Sequence, residues 1–270
     1  MALAAVLSAG FALAQDTAPV RGLDTINGQP VINPGGYIPP EQIPSIAEII
    51  PPPPALGSPR QLQDMEVFKA TRQLEGSPRW QAALADDVYR LPTLLADFNC
   101  AIGANLDELN APKTTAILRR MLIDTGNSSA SAKVVFQRKR PYQIVGEGNI
   151  CIEKSERLGN SPDYPSGHAT LGWTAGLILA ELAPDRAAPI MARARAFTES
   201  RVICGVHSPS AIEAGRSTGS AVLAAMHGSA EFRADLEVAR AEIAAARQGA
   251  AKPDAGLCKA QTELLSRANW

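Results

Sequence analysis

The 270-residue sequence predicts an all-α protein folded as one domain. Ala- and Leu-rich segments repeat their apolar residues at helical spacing, and Pro recurs at places where a helix would begin. Alternating runs of Val, Ile and Thr are scarce, and no convincing β-hairpin stands out. The length suffices for a full core without help from metals. The net charge of −1 and the lack of a long basic block remove the electrostatic footprint of a nucleic-acid binder.

Residues 1–14 are almost wholly apolar and end Ala12-Leu13-Ala14, the small-x-small pattern of a signal-peptide cleavage site. No Lys or Arg precedes the run, so it reads either as a leader whose start is truncated or as an ordinary N-terminal helix. Residues 15–59 form a Pro- and Gly-rich arm, including Pro51-Pro52-Pro53-Pro54, and residues 60–270 the helical domain.

The first helix is expected from Gln61 to Leu74, with Leu62, Met65, Phe68 and Leu74 inward and Asp64, Glu66, Lys69 and Arg72 facing solvent. Ser77-Pro78 opens a second through Trp80, Leu84 and Val88, and Leu91-Pro92 a third through Phe98 to Cys100. Ala111-Pro112 opens a fourth that buries Ile117, Leu118, Met121 and Leu122 and stops near Gly126. A separate helix from Ser131 to Pro141 would place Lys133, Phe136 and Arg140 on one face. Residues 142–164 read as a loop long enough to carry function.

Pro165-Ser166-Gly167-His168 is a tight turn before an apolar run from Ala169 to Leu182. Ser166 and Gly167 would sit at that helix's N-terminus, where free N–H groups and the dipole favour an anion. A further helix runs from Ala187 to about Val202, and Ser208-Pro209 starts an Ala-rich one through Met226. An amphipathic segment follows from about Glu231.

Four cysteines, Cys100, Cys151, Cys204 and Cys258, with no C-x-x-C pattern, read as two disulfides in an oxidising compartment, with buried free thiols as the alternative. Of the three possible pairings the reading favours Cys100 with Cys151 and Cys204 with Cys258. Past the leader no apolar stretch is long enough to span a bilayer, so a soluble periplasmic or secreted chain is expected.

Among the three histidines, His227 reads as structural, whereas His168 and His207 stand beside Gly-, Ser- and Pro-containing turns. With Lys133, Arg140 and Arg201 they offer three cations, a helix N-terminus and two imidazoles, a set suited to a phosphate dianion. Lys133, six residues, Arg140-Pro141; Pro165-Ser166-Gly167-His168; and Ser200-Arg201, five residues, His207 together resemble the three-part signature of the type 2 phosphatidic acid phosphatase and vanadium haloperoxidase superfamily. Pro51–Pro54 with Gly57-Ser58, the Phe98-Asn99-Cys100-Ala101 segment and Tyr164 are further similar to bacterial class A non-specific acid phosphatases.

The resemblance implies a helical bundle of the acid phosphatase/haloperoxidase type that hydrolyses phosphate monoesters with broad specificity at acidic pH, without metal or other cofactor. It implies His207 as nucleophile, His168 as a protonated general acid and later base, and Lys133, Arg140, Ser166, Gly167 and Arg201 as the phosphate cradle. Small phosphomonoesters would be the partners, an alcohol could replace water as acceptor, and a homo-oligomer would be in keeping with the family.

One position departs from the pattern. The family carries Asp four residues after the nucleophilic His, where this chain has Ala211. Glu213, Ser210 or a backbone carbonyl could substitute, turnover could be weak, or the residue could have been changed by design. Beside the phosphatase stand three other readings: a phosphoester-binding protein with little turnover, a vanadate-dependent haloperoxidase, and a lipid or pyrophosphate phosphatase.

Overall fold

The computed structural model describes residues 25–26, 29–30, 35–87 and 90–266. The leader reading of residues 1–14 and the placing of Val88 lie outside them. The chain divides into two units, residues 1–34 and residues 35–270.

Within the first unit Thr25–Ile26 (β1) pairs antiparallel with Gln29–Pro30 (β2), Thr25 opposite Pro30 and Ile26 opposite Gln29. This corrects the expectation of no hairpin.

The second unit is helical, with α1 (Ile46–Ile49), α2 (Pro59–Thr71), α3 (Pro78–Ala85), α4 (Leu91–Ile102), α5 (Pro112–Phe136), α6 (Pro141–Val145) and α7 (Glu156–Asn160). It continues through α8 (Gly167–Leu182), α9 (Ala187–Ile203), α10 (Pro209–Met226), α11 (Ala230–Gln248) and α12 (Ala255–Leu265). Three of these open on Ser-Pro. The Ser58, Ser77 and Ser208 hydroxyls accept N–H groups of the first turn while the proline fills a position that needs no donor.

Helix α8, apolar on nearly every side, is the centre, enclosed by α5, α9 and α10 with α4 and α11 beyond. Small residues let its neighbours close in. A Cβ at Gly176 would lie 2.4 Å from the Ala194 Cβ of α9, and one at Gly219 of α10 would lie 2.7 Å from the Thr174 hydroxyl. Around α8 and its Ile178 collect Phe98, Leu118 and Phe197, all fully buried.

Several boundaries differ from the sequence expectation. Gly126 does not end α5, which runs unbroken to Phe136. A glycine costs a helix interior about 1 kcal/mol, and burial of Ser128, Ser129 and Ala132 beyond it offsets that. Lys133 and Arg140 do not share a helix face. The helix stops at Gln137 with a φ of +47°, and Arg140 is instead the extended N-cap of α6, as the residue before Pro141 must be. The segment 142–164, read as loop, holds part of α6 and all of α7.

On α2 the inward face was misassigned. Leu62 is 54% exposed, while Asp64 is fully buried because Arg138 and Ser210 pair with it. Arg72, expected in solvent, lies along the end of α9, where its guanidinium donates to the carbonyls of Val202 and Ile203 and stacks over Phe68 and Trp80. Leu84 of α3 is 42% exposed.

Part of the Pro-rich arm belongs to the same unit. Tyr37 is buried against Phe232, its N–H donating to Asp124 (2.8 Å) and its hydroxyl to Asp235 (2.7 Å). The Pro51 carbonyl accepts from the Tyr164 hydroxyl at 2.8 Å. No described helix is long and apolar enough to cross a membrane.

Both disulfides form, but with the other pairing: Cys100 with Cys258 and Cys151 with Cys204. The fold lays α12 against α4, and residues 150–152 against the end of α9, bringing the paired Cα atoms to 5.3 and 4.7 Å.

The two bridges have separable roles. Replacing Cys100 and Cys258 by Ser should lower stability by about 2–4 kcal/mol with kcat preserved. Replacing Cys151 and Cys204 should lower kcat as well, because Cys204 lies between Arg201 and His207. Thermal unfolding and steady-state kinetics of the two double variants check this; equal kinetics in both would refute it.

Candidate active site

The candidate residues converge from helix ends. Lys133 comes from the last turn of α5, Arg140 from the cap of α6, Ser166 to His168 from the start of α8, and Arg201 from the last turn of α9. His207 lies in the link to α10. There the N–H groups of Val206 and His207 both donate to the Arg201 carbonyl, at 3.1 and 3.2 Å. Gly205 makes this reversal, with a φ of +81° and Arg72 packed where a Cβ would stand.

His207 is 5% exposed, and both its ring nitrogens are engaged. Nε2 faces Arg140 Nη1 at 3.2 Å. Nδ1 donates to Asp163, reaching the backbone carbonyl at 2.8 Å and Oδ1 at 2.9 Å. Both are acceptors, so in the neutral ring the proton resides on Nδ1 and the lone pair on Nε2. Burial, reinforced by Arg140, pushes the imidazole down to about 3 against the pull of Asp163.

Asp163 is the site residue that the sequence reading missed. Neither Glu213 nor Ser210 stands in for the absent carboxylate: Glu213 pairs with Arg60 at the surface, and Ser210 donates to Asp64. A backbone carbonyl does contribute, that of Asp163 itself. Asp163 is fully buried. Burial alone would raise its carboxyl, yet the hydrogen bond from His207, with Arg138 and Ser208, brings it below the ordinary value.

Arg140 is held by backbone carbonyls: Nε donates to Leu158 and Ser161 at 2.9 and 2.8 Å, and Nη1 to Val206 at 2.7 Å. Lys133 Nζ donates to the Pro162 carbonyl at 2.6 Å, so both cations grip the segment leading into Asp163. Burial and then Arg140 push the Lys133 ammonium down to about 7, against the pull of Asp163.

Arg201 is 3% exposed and ion-paired through Nη2 to Asp87 at 2.9 Å. Its Nε and Nη1 are buried without a hydrogen-bond acceptor. Two unsatisfied donors on a buried cation mark the place where an anion would be held. Ser166 caps α8, its hydroxyl accepting the Ala169 N–H at 3.2 Å and its own N–H bonding the Ala211 carbonyl at 3.0 Å. Gly167 is the first helical residue, where N–H groups lack a partner within the helix.

His168 is buried, with Nε2 donating to the Asp86 carbonyl at 2.6 Å and its ring stacked on Phe197 at 4.8 Å. Burial, then Arg201, pushes it well below the ordinary imidazole value. In the free protein this disfavours the protonated His168 that the sequence reading expects. His227 caps the end of α10, beside Glu181 and Phe232, and is structural as read. Among the described residues no group of three His, Cys, Asp or Glu is placed to hold a metal ion.

The chain is similar to known proteins over most of its length. The PAP2 superfamily model matches residues 114–234. The chain is 45% identical over 209 residues to an acid phosphatase of Zymomonas mobilis subsp. mobilis, covering 77% of this chain and 79% of that one. It is 32% identical over 197 residues to a non-specific acid phosphatase of Providencia stuartii, covering 73% and 79%. It is also 32% identical over 195 residues to one of Salmonella typhimurium, covering 72% and 78%.

The stack on His168 gives a test remote from the charged groups. A Cβ at Gly172 would lie 2.1 Å from the Phe197 ring, so Gly172→Ala must displace the aromatic that orients His168. Overpacking should cost about 1–3 kcal/mol, against about 1 kcal/mol gained in helix propensity. The melting temperature and kcat should fall together. Unchanged values of both would show that Phe197 does not constrain the imidazole.

Proposed function

Because the chain belongs to the PAP2 superfamily and is an acid phosphatase, we propose that it hydrolyses phosphate monoesters of broad range through a phosphohistidine on His207. The observation that carries this reading is the bonding of His207: Asp163 keeps the proton on Nδ1, which leaves the Nε2 lone pair as nucleophile among Arg140, Lys133 and Arg201.

The phosphoryl group would take up the two idle donors of Arg201, the Lys133 ammonium and the N–H of Gly167, with the Ser166 hydroxyl free to donate while its oxygen caps the helix. Nε2 forms a bond to phosphorus as the ester oxygen departs. His168 protonates that oxygen. As base it then takes a proton from the water that breaks the P–N bond, and inorganic phosphate leaves. Charge on the transferring group is met by three cationic side chains, so the steps call for no metal.

The proton need not start on His168. Phosphomonoesters have a second pKa near 6, so below that value the bound monoanion brings a proton that His168 accepts once the phosphate's charge is beside it. This relocates the cause of an acidic optimum from the free imidazole to the substrate and to Lys133. The two disulfides, which persist in oxidising compartments, support a periplasmic or secreted location.

The phosphoester-binding reading rested on Ala211, and the carboxylate of Asp163 at His207 removes its ground. No observation favours the haloperoxidase or lipid phosphatase alternatives.

Hydrolysis of p-nitrophenyl phosphate should be lost in His207→Ala, inhibited by vanadate and indifferent to a metal chelator. Lys133 is cationic below about 7 and neutral above it, so kcat/KM should fall as pH rises through that value. Lys133→Arg keeps its charge and should move the alkaline limb upward. Turnover retained in His207→Ala, or abolished by the chelator, would overturn the mechanism.

A further inference from the structure

On the phosphatase reading, we infer that Asp163 is the positioning residue for His207 and has taken over the role that the family gives to position 211, where this chain has Ala. The carboxylate is held on every side. Oδ1 accepts from His207 Nδ1 at 2.9 Å and from the Ser208 N–H at 3.2 Å. Oδ2 accepts from the Ser208 hydroxyl at 2.6 Å and faces Arg138 at 3.6 Å. The Asp163 N–H donates to the Arg138 carbonyl at 2.8 Å, so its backbone is fixed as well. Arg138 is anchored in turn by Asp64 at 2.8 Å.

This chain, Asp64 to Arg138 to Asp163 to His207, is buried throughout and fixes the tautomer and direction of the imidazole. Sequence places Asp163 five residues before His168, so one turn bears both the partner of His207 and the start of α8. The two histidines are thereby set from a single segment, whereas a carboxylate on α10 would set only the one.

Position 211 offers no such home. Ala211 is fully buried in an apolar cluster with Ile46, Ile50, Ala132 and Tyr164. Its N–H and carbonyl are already bonded, to Ser208 and to the Ser166 N–H. A carboxylate there would enter apolar surroundings.

The test joins kinetics to a signature of the ring itself. In the unaltered protein, 15N–1H correlation of the His207 side chain should show the neutral tautomer protonated at Nδ1. Asp163→Asn should lower kcat about 10²- to 10⁴-fold, by analogy with the triad carboxylate, with KM changed far less, and should alter the His207 15N shifts. Ala211→Asp should lower the melting temperature and leave kcat no higher than the parent's. An Nε2-protonated His207 in the parent, a kcat for Asp163→Asn within about threefold of the parent's, or a gain of tenfold or more in Ala211→Asp would overturn the inference. Should the parent not turn over substrate, the phosphatase reading fails, while the tautomer measurement still decides whether Asp163 governs the imidazole.

Discussion

Four basic side chains, Lys133, Arg138, Arg140 and Arg201, are drawn out of water around two imidazoles, and compensation of that charge shapes the surrounding structure. Each uses a different means. Arg138 lies between two buried carboxylates, Asp64 and Asp163; Arg140 donates to the carbonyls of Leu158, Ser161 and Val206; Lys133 rests on the Pro162 carbonyl; Arg201 shares the partly exposed Asp87. Arg201 retains buried donors with no acceptor among the described residues. An unmet buried donor costs about 1–3 kcal/mol, so the site is poised to gain from an anion that meets those donors.

The same constraint explains why the site is assembled at helix ends rather than on helix faces. The last carbonyls and first N–H groups of a helix need partners from elsewhere. Here they meet side chains around the site: Arg72 on the terminal carbonyls of α9, Arg140 on the Leu158 carbonyl near the end of α7, Ser166 at the head of α8. Helix α8 holds these ends in register because glycines facing it on α10 and within it toward α9 permit close packing, and the Cys151–Cys204 bridge fastens the turn that carries His207.

Much of this was legible in the sequence, and the illegible part has a common cause. The Ser-Pro helix starts and the Pro-Ser-Gly turn are local, so residue chemistry and spacing revealed α3, α8 and α10 and gathered Lys133, Arg140, His168, Arg201 and His207. The features that escaped depend on residues far apart in the chain. Asp163 meets His207 across 44 positions, Asp64 meets Arg138 across 74, and the cysteine pairing follows from where α12 and residues 150–152 pack. Charged residues on an amphipathic helix read as solvent-facing unless their partner is known, which is why the inward face of α2 was misread. Arg140 escaped in a lesser way: its neighbourhood was right, but the break at Gln137 and Pro141 was needed to see that it caps a new helix.

The two histidines are backed differently, and the difference suits the work proposed for each. His207 leans on a carboxylate, an anion able to stabilise the positive charge that develops on the ring when Nε2 is phosphorylated. His168 leans on the backbone carbonyl of Asp86, a dipole without net charge, and stacks on Phe197. The side chain of Asp86 is meanwhile occupied by Arg193 and Ser200, so its charge is spent away from the ring. An imidazole supported in this way releases a proton readily once it has one, as a general acid should. In the proposed mechanism the different backing suits one ring to accept a phosphoryl group and the other to pass on a proton, although burial makes both hold their protons weakly in the free protein.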